Sequence, residues 1–209
     1  MLRRSARPVF LTSALTAISL AACAAGASGK PLAVGSSLPA FSLKNVDGQT
    51  VSSADFAAKP ALAVIFWCNH CPFVQAYEAR TIALAKEYAE RGVQFVVINP
   101  NDAKKQPADS YEKMQQRAKD KGYPFPYLHD VTQEIARTYG AARTPEVYLF
   151  GPDRKLVYHG RIDDNTEEKD VKKHDLKNAL DLLLAGTPEK ISPQTTKAFG
   201  CTIKWREGK

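Results

Sequence analysis

Only four cysteines stand among the 209 residues, too few for the dense crosslinking that holds small exported scaffolds together. Charge of one sign is not in large excess either. With residues 1–22 set aside as a leader, 26 basic residues face 22 acidic ones, a balance of +4. The pairs Lys104-Lys105 and Lys172-Lys173 read as solvated helix faces, and no basic stripe is interleaved with aromatics. Nucleic acid is therefore not an expected partner. The longest apolar stretch near the N-terminus, Val9 to Leu20, falls short of the ~20 residues that span a bilayer comfortably. No internal repeat is visible, so a repeat architecture is not expected.

What is there begins with a signal for export. Arg3, Arg4 and Arg7 precede the apolar stretch, which ends in "SLAACAAG". That order reads as a secretory leader, and Leu20-Ala21-Ala22-Cys23 looks like a bacterial lipobox, with cleavage before Cys23 and lipid on its thiol. The alternative is an ordinary leader with an incidental Cys23. On either reading the mature chain leaves the cytosol, and on the first it is tethered in the bacterial cell envelope, facing the periplasm. Residues 23–37, rich in Ala, Gly and Ser, read as a flexible tether. Residues 38–186 carry the pattern of one folded domain. Residues 187–209 are polar and proline-punctuated, which by composition predicts a disordered tail, although Cys201, Ile203 and Trp205 argue against full disorder.

Within the domain the periodicities predict an α/β fold. Segments around Asp47-Gly48 alternate as an opening β-hairpin. "ALAVIFW" at 61–67 is continuously apolar, as a strand buried on both faces must be. Phe73, Tyr77, Thr81, Leu84 and Tyr88 then recur at helical spacing up to Gly92, and "VQFVVI" at 93–98 is a second apolar strand. This βαβ unit implies parallel strands. A polar helix near 109–121, a short strand or loop at "FPYLHD", a helix ending at Gly140, two strands around Gly151-Pro152-Asp153 and a last helix near 168–185 follow. The order predicts a mixed central sheet flanked by helices.

The chemistry concentrates in "FWCNHCPF", residues 66–73. With Cys68 at a helix N-terminus, first-turn N–H groups and the helix dipole would favour the thiolate. Cys68 is then the expected attacking sulfur and Cys71, one turn in, the resolving one. A charged His70 would further stabilise the Cys68 thiolate, and Pro72 suits a first helical turn, where a missing N–H costs little. Trp67 reads as part core and part platform for a substrate. His129, His159 and His174 read as satisfied or solvated, and Asp130 as a cap for the helix that follows. Metal binding by Cys68, Cys71 and a histidine such as His70 or His129 is the competing reading, since thiolate and imidazole suit zinc or Cu(I). A purely structural Cys68–Cys71 crosslink would close a very short loop and stabilise little. Cys201 is either a half-buried thiol anchoring the tail or a third redox cysteine that guards or resolves the site.

"WCNHC" after a buried strand, with "RTPEVYLF" about seventy residues later, resembles the thioredoxin fold. More narrowly, "FWCNHCPFV", "VINPND", "HGRIDDN", "HDLKNALDLLLAG" and "GCTIKW" resemble thioredoxin-like redoxins of the alkyl hydroperoxide reductase and thiol-specific antioxidant superfamily. The resemblance implies a cis Pro145 facing the dithiol and a Thr144 that offers backbone hydrogen bonds to a docked partner chain. It implies a thiol-disulfide oxidoreductase working on protein thiols or disulfides with a redox partner protein. No organic cofactor is implied, only a redox-active Cys68–Cys71 disulfide, and no resident metal. A thiol peroxidase is the other activity the superfamily suggests. Typical peroxiredoxins place a threonine or serine three residues before the reactive cysteine and a proline seven before. Here those positions hold Cys68 and Val64 for Cys71, and Ile65 and Ala61 for Cys68, so exchange is the expected activity.

Overall fold

A computed structural model of the protein describes residues 29–207; the leader and Cys23 lie outside them. In chain order the elements are β1 (Ser42–Asn45), β2 (Thr50–Ser52), β3 (Ala61–Phe66), α1 (Pro72–Ala89), β4 (Val93–Asn99), α2 (Tyr111–Lys121), β5 (Tyr127–His129), α3 (Glu134–Tyr139), β6 (Arg143–Thr144), β7 (Glu146–Phe150), β8 (Leu156–Gly160), α4 (Asp175–Leu184) and β9 (Cys201–Thr202). The main sheet runs β2-β1-β5-β4-β3-β7-β8. It is mixed: β4 is parallel to β3 and β5, while β7 is antiparallel to β3 and β1 to β5.

The apolar run of β3 makes it central. Ala61, Ala63 and Ile65 enter one core with Val74, Tyr77 and Tyr88 of α1, Met114 of α2 and Leu176, Leu180 and Leu183 of α4. Leu62, Val64 and Phe66 enter the opposite core with Tyr139 of α3, Tyr148 and Ile203. Side chains alternate across a strand, so one continuous apolar segment fills two layers.

Topology then places the chemistry. The C-terminal ends of parallel β3 and β4 and the start of antiparallel β7 all meet one edge of the sheet. The dithiol follows β3, residues 100–110 follow β4, and Thr144-Pro145 precedes β7.

Three boundaries differ from the sequence expectation. The tether is not free up to residue 37: the Leu32 amide donates to the Tyr139 carbonyl at 3.1 Å and that of Gly35 to Leu156 at 2.8 Å. The last helix starts at Asp175, because the amides of Lys172 and Lys173 donate to the Asp164 carboxylate at 2.9 and 3.0 Å instead of entering a helical ladder. The tail is ordered through residue 207 in a way that composition conceals. Ile203 is buried, the Lys204 amide donates to Asn101 at 2.8 Å, and the Arg137 guanidinium sits over the Trp205 ring at 4.6 Å.

Candidate active site

α1 begins at Pro72 with Cys71 as its N-cap, so the helix-terminal position falls to Cys71 and not to Cys68. The preceding residues 68–70 are held out of the helix by Asp109. Its Oδ1 accepts from the Asn69 amide at 2.6 Å and the His70 amide at 3.2 Å, which occupies donors that a longer helix would present at its end.

Both motif thiols are fully buried, and Cys68, Cys71 and Cys201 are all free. Cys68 Sγ lies 3.0 Å from Thr144 Oγ1. Cys71 Sγ lies 3.2 Å from the Thr144 carbonyl oxygen and 2.8 Å from Cys201 Sγ. As a thiol Cys71 donates to that carbonyl; as a thiolate it accepts from the neighbouring thiols. Burial, then the hydrogen bond with Cys71 and the charge of Asp109, push the Cys68 thiol well up. The hydrogen bond from Cys68, aided by Cys201 and the Val74 amide and opposed by burial, brings Cys71 down to about 5. Burial and the contact with Cys71 raise Cys201 to about 11. Burial and Asp109 thus favour the protonated form at Cys68, while the surrounding donors favour the thiolate at Cys71.

A pH dependence follows. Cys71 in the folded protein ionises near 5, below its ordinary value of 9.0, so between those values the folded chain binds fewer protons there than the unfolded chain. Stability from this group is complete above 9.0, rises across the window, and is lost as pH falls through about 5. Ultraviolet thiolate absorbance of the reduced protein is expected to show one step near pH 5, abolished by Cys71→Ser and retained by Cys201→Ser. A single step near pH 9 in the unmodified chain would contradict the assignment.

His70 is not a free charge beside Cys68. Its Nδ1 lies 2.6 Å from Asp109 Oδ2, so the ring expected to tune the dithiol is paired with a buried carboxylate. Asp109 also accepts from Asn101 Nδ2 at 2.8 Å. Sequence reasoning missed this residue and placed it at the start of a polar helix near 109–121. The available signal was its position just beyond the C-terminal end of β4, the same sheet edge as the dithiol.

Trp67 is fully buried, with its indole N–H donating to Tyr123 Oη at 3.2 Å. It packs in the core and offers no platform. The hydroxyl missing from the expected sequence positions is supplied to Cys68 by Thr144. The Thr144-Pro145 peptide bond is cis. Among the described residues one donor set fits a metal: Cys68, His70 and Asp109, with ligand atoms all within 4.8 Å of one another. His129 is not in it and stacks on Tyr111 with ring centroids 5.8 Å apart. His159 is satisfied by Glu146 at 2.8 Å, and Asp130 caps α3 through the Ala136 amide at 2.8 Å.

The edge of β6 is occupied by the chain itself. β9 pairs antiparallel with it, Cys201 opposite Thr144 and Thr202 opposite Arg143. The Arg143 guanidinium donates to the Gly200 carbonyl at 2.9 Å.

Comparison with known proteins agrees with this architecture. A crystal structure of an uncharacterized conserved protein from Geobacillus kaustophilus is 42% identical, with a TM-score of 0.80 over 85% of this chain and 94% of that one. A hypothetical protein from Sinorhizobium meliloti 1021 is 38% identical, with a TM-score of 0.80 over 86% and 98%. The thiol-disulfide oxidoreductase ResA of Geobacillus thermodenitrificans (strain NG80-2) is 25% identical over 145 residues, 68% of this chain and 76% of that protein. The thioredoxin domain of a thiol-disulfide oxidoreductase from Bacteroides vulgatus shares the fold, with a TM-score of 0.52. Residues 34–159 match the AhpC/TSA family, and with a thioredoxin-like sheet placing its CxxC against Thr144, this chain belongs to that family.

Proposed function

We propose that the protein is a thiol-disulfide oxidoreductase that exchanges electrons with protein thiols or disulfides through Cys68 and Cys71. One observation carries the reading: a cysteine pair held at the N-terminus of α1, Cys71 as its N-cap and Cys68 Sγ against Thr144 Oγ1 at 3.0 Å. In the reducing direction the Cys71 thiolate attacks a client disulfide, forms a mixed disulfide and expels one client sulfur as thiolate. Cys68 then gives up its proton and attacks Cys71 Sγ, which closes the internal disulfide and expels the second client sulfur. Two electrons pass from the dithiol to the client. The His70–Asp109 pair is the polar group beside Cys68, its ligand atoms within 4.8 Å of the sulfur. With the internal disulfide formed first, the same steps run in reverse.

The site of action is outside the cytosol, and the anchor is lipid on Cys23. The leader pattern of residues 1–23 supports this part of the reading. Protein clients and a redox partner protein, which sets the direction of flow, complete it.

The test is equilibration of the full chain in glutathione redox buffers, with metal content measured beforehand. A metal-free protein showing a two-electron couple is expected. Stoichiometric metal lost on Asp109→Asn, with no exchange with glutathione, would instead make Cys68, His70 and Asp109 a metal site. Rapid hydroperoxide consumption that exceeds disulfide exchange would favour the peroxidase activity, for which Thr144 Oγ1 would be the polarising hydroxyl.

A further inference from the structure

We propose that Cys201 is a third redox cysteine, and that β9 is a client strand built into the chain, exchanging its thiol with the Cys68–Cys71 pair. The proposal rests on the dithiol reading above. Three independent features place Cys201 for this role. Its sulfur lies 2.8 Å from that of Cys71. Its backbone occupies the strand edge at Thr144, where an extended segment adds to a sheet by main-chain hydrogen bonds. The strand is also clamped on both sides of the cysteine: Gly200 packs so closely on the Thr144 carbonyl that a Cβ would collide with it, and the Lys204 carbonyl accepts from the Asp102 amide at 2.9 Å.

Exposure orders the three sulfurs. Cys68 and Cys71 have no exposed surface, whereas Cys201 is only half-buried. An external sulfur therefore meets Cys201 before it meets Cys71. In the oxidised protein the Cys201 thiolate attacks Cys71 Sγ; a Cys71–Cys201 bond forms, the Cys68–Cys71 bond breaks, and Cys68 leaves with the electron pair and takes the proton that Cys201 lost. No external oxidant enters this step. A client or glutathione thiolate then attacks the Cys201 sulfur, forming a mixed disulfide there and releasing Cys71 as thiolate. The tail is thereby a relay between surface and interior.

The test is tryptic mapping of the oxidised full chain under non-reducing conditions. Cys68 and Cys71 share the peptide 45–80, and Cys201 lies in 198–204. Linked 45–80 and 198–204 peptides are expected in the wild type, and as the dominant species in Cys68→Ser, which keeps every contact of the tail. Separate glutathione adducts on Cys71 and Cys201 in that variant, without the link, would overturn the proposal. In parallel, Cys201→Ser is expected to shift the exchange equilibrium with glutathione by about tenfold, or roughly 30 mV for a two-electron couple. An unchanged couple in Cys201→Ser would sink the third-cysteine role and leave the dithiol reading standing. No couple in either protein would sink the dithiol reading itself.

Discussion

Cys71→Ser is expected to cut the transfer of electrons from the reduced protein to a disulfide substrate by on the order of a thousandfold or more, the scale seen when an attacking nucleophile is removed. The substitution deletes the N-cap thiolate and leaves Cys68, whose burial and proximity to Asp109 keep it protonated. Cys68→Ser combined with Cys201→Ser is expected to lose turnover to a similar degree by a different route, because the attacking sulfur survives and both sulfurs that could resolve it are gone. In a Cys68→Ser, Cys201→Ser double variant a mixed disulfide with the client should therefore accumulate on Cys71, visible as a mass adduct. Accumulation on Cys68 in the Cys71→Ser, Cys201→Ser pair instead would return the attacking role to Cys68.

Asp109→Ala is expected to be the most destabilising single change at the site. The carboxylate is fully buried and accepts from the Asn69 and His70 amides, the Asn101 side chain and the His70 ring. Buried donors stripped of an acceptor cost about 1–3 kcal/mol each. Even with water taking up some of them, a loss of about 3 kcal/mol follows, or roughly 6–12 °C in midpoint for a domain of this size. Thermal unfolding of the reduced protein measures it. A change below about 1 kcal/mol would show that the segment 68–70 is held by α1 and the sheet without this carboxylate. Asp109→Asn keeps one acceptor oxygen and should recover part of the loss.

The parts of this molecule that were legible in its sequence are those governed by local pattern. The run 61–67 could only be a strand covered on both faces, and Asp47-Gly48 between short alternating segments could only turn a hairpin. The cysteine spacing announced a dithiol because two thiols three residues apart, after a buried strand and beside a proline, suit disulfide exchange. What stayed hidden depends on residues far apart in the chain. The start of α1 is set by Asp109, about forty residues downstream, which draws the Asn69 and His70 amides away from a helix. Trp67 sits beside a reactive motif, where exposure is the natural inference, yet Tyr123 provides a partner for its indole inside the core. The tail has the composition of a disordered segment because its order comes from backbone pairing and a few anchors, Ile203 and Trp205 among them, not from a periodic apolar face.

The strap over the dithiol has a consequence for how the chain is made. Cys71 and Cys201 are 130 residues apart, and a chain enters the compartment where it folds N-terminal end first. The dithiol, its helix and the first parallel strands can therefore form while the covering strand has yet to emerge. For that interval the two inner sulfurs lack the neighbour that later seals them, and they are open to any oxidant or thiol in the compartment. Closure of β9 onto Thr144 is then a late step of maturation, one that marks the redox centre as finished only when the rest of the protein is.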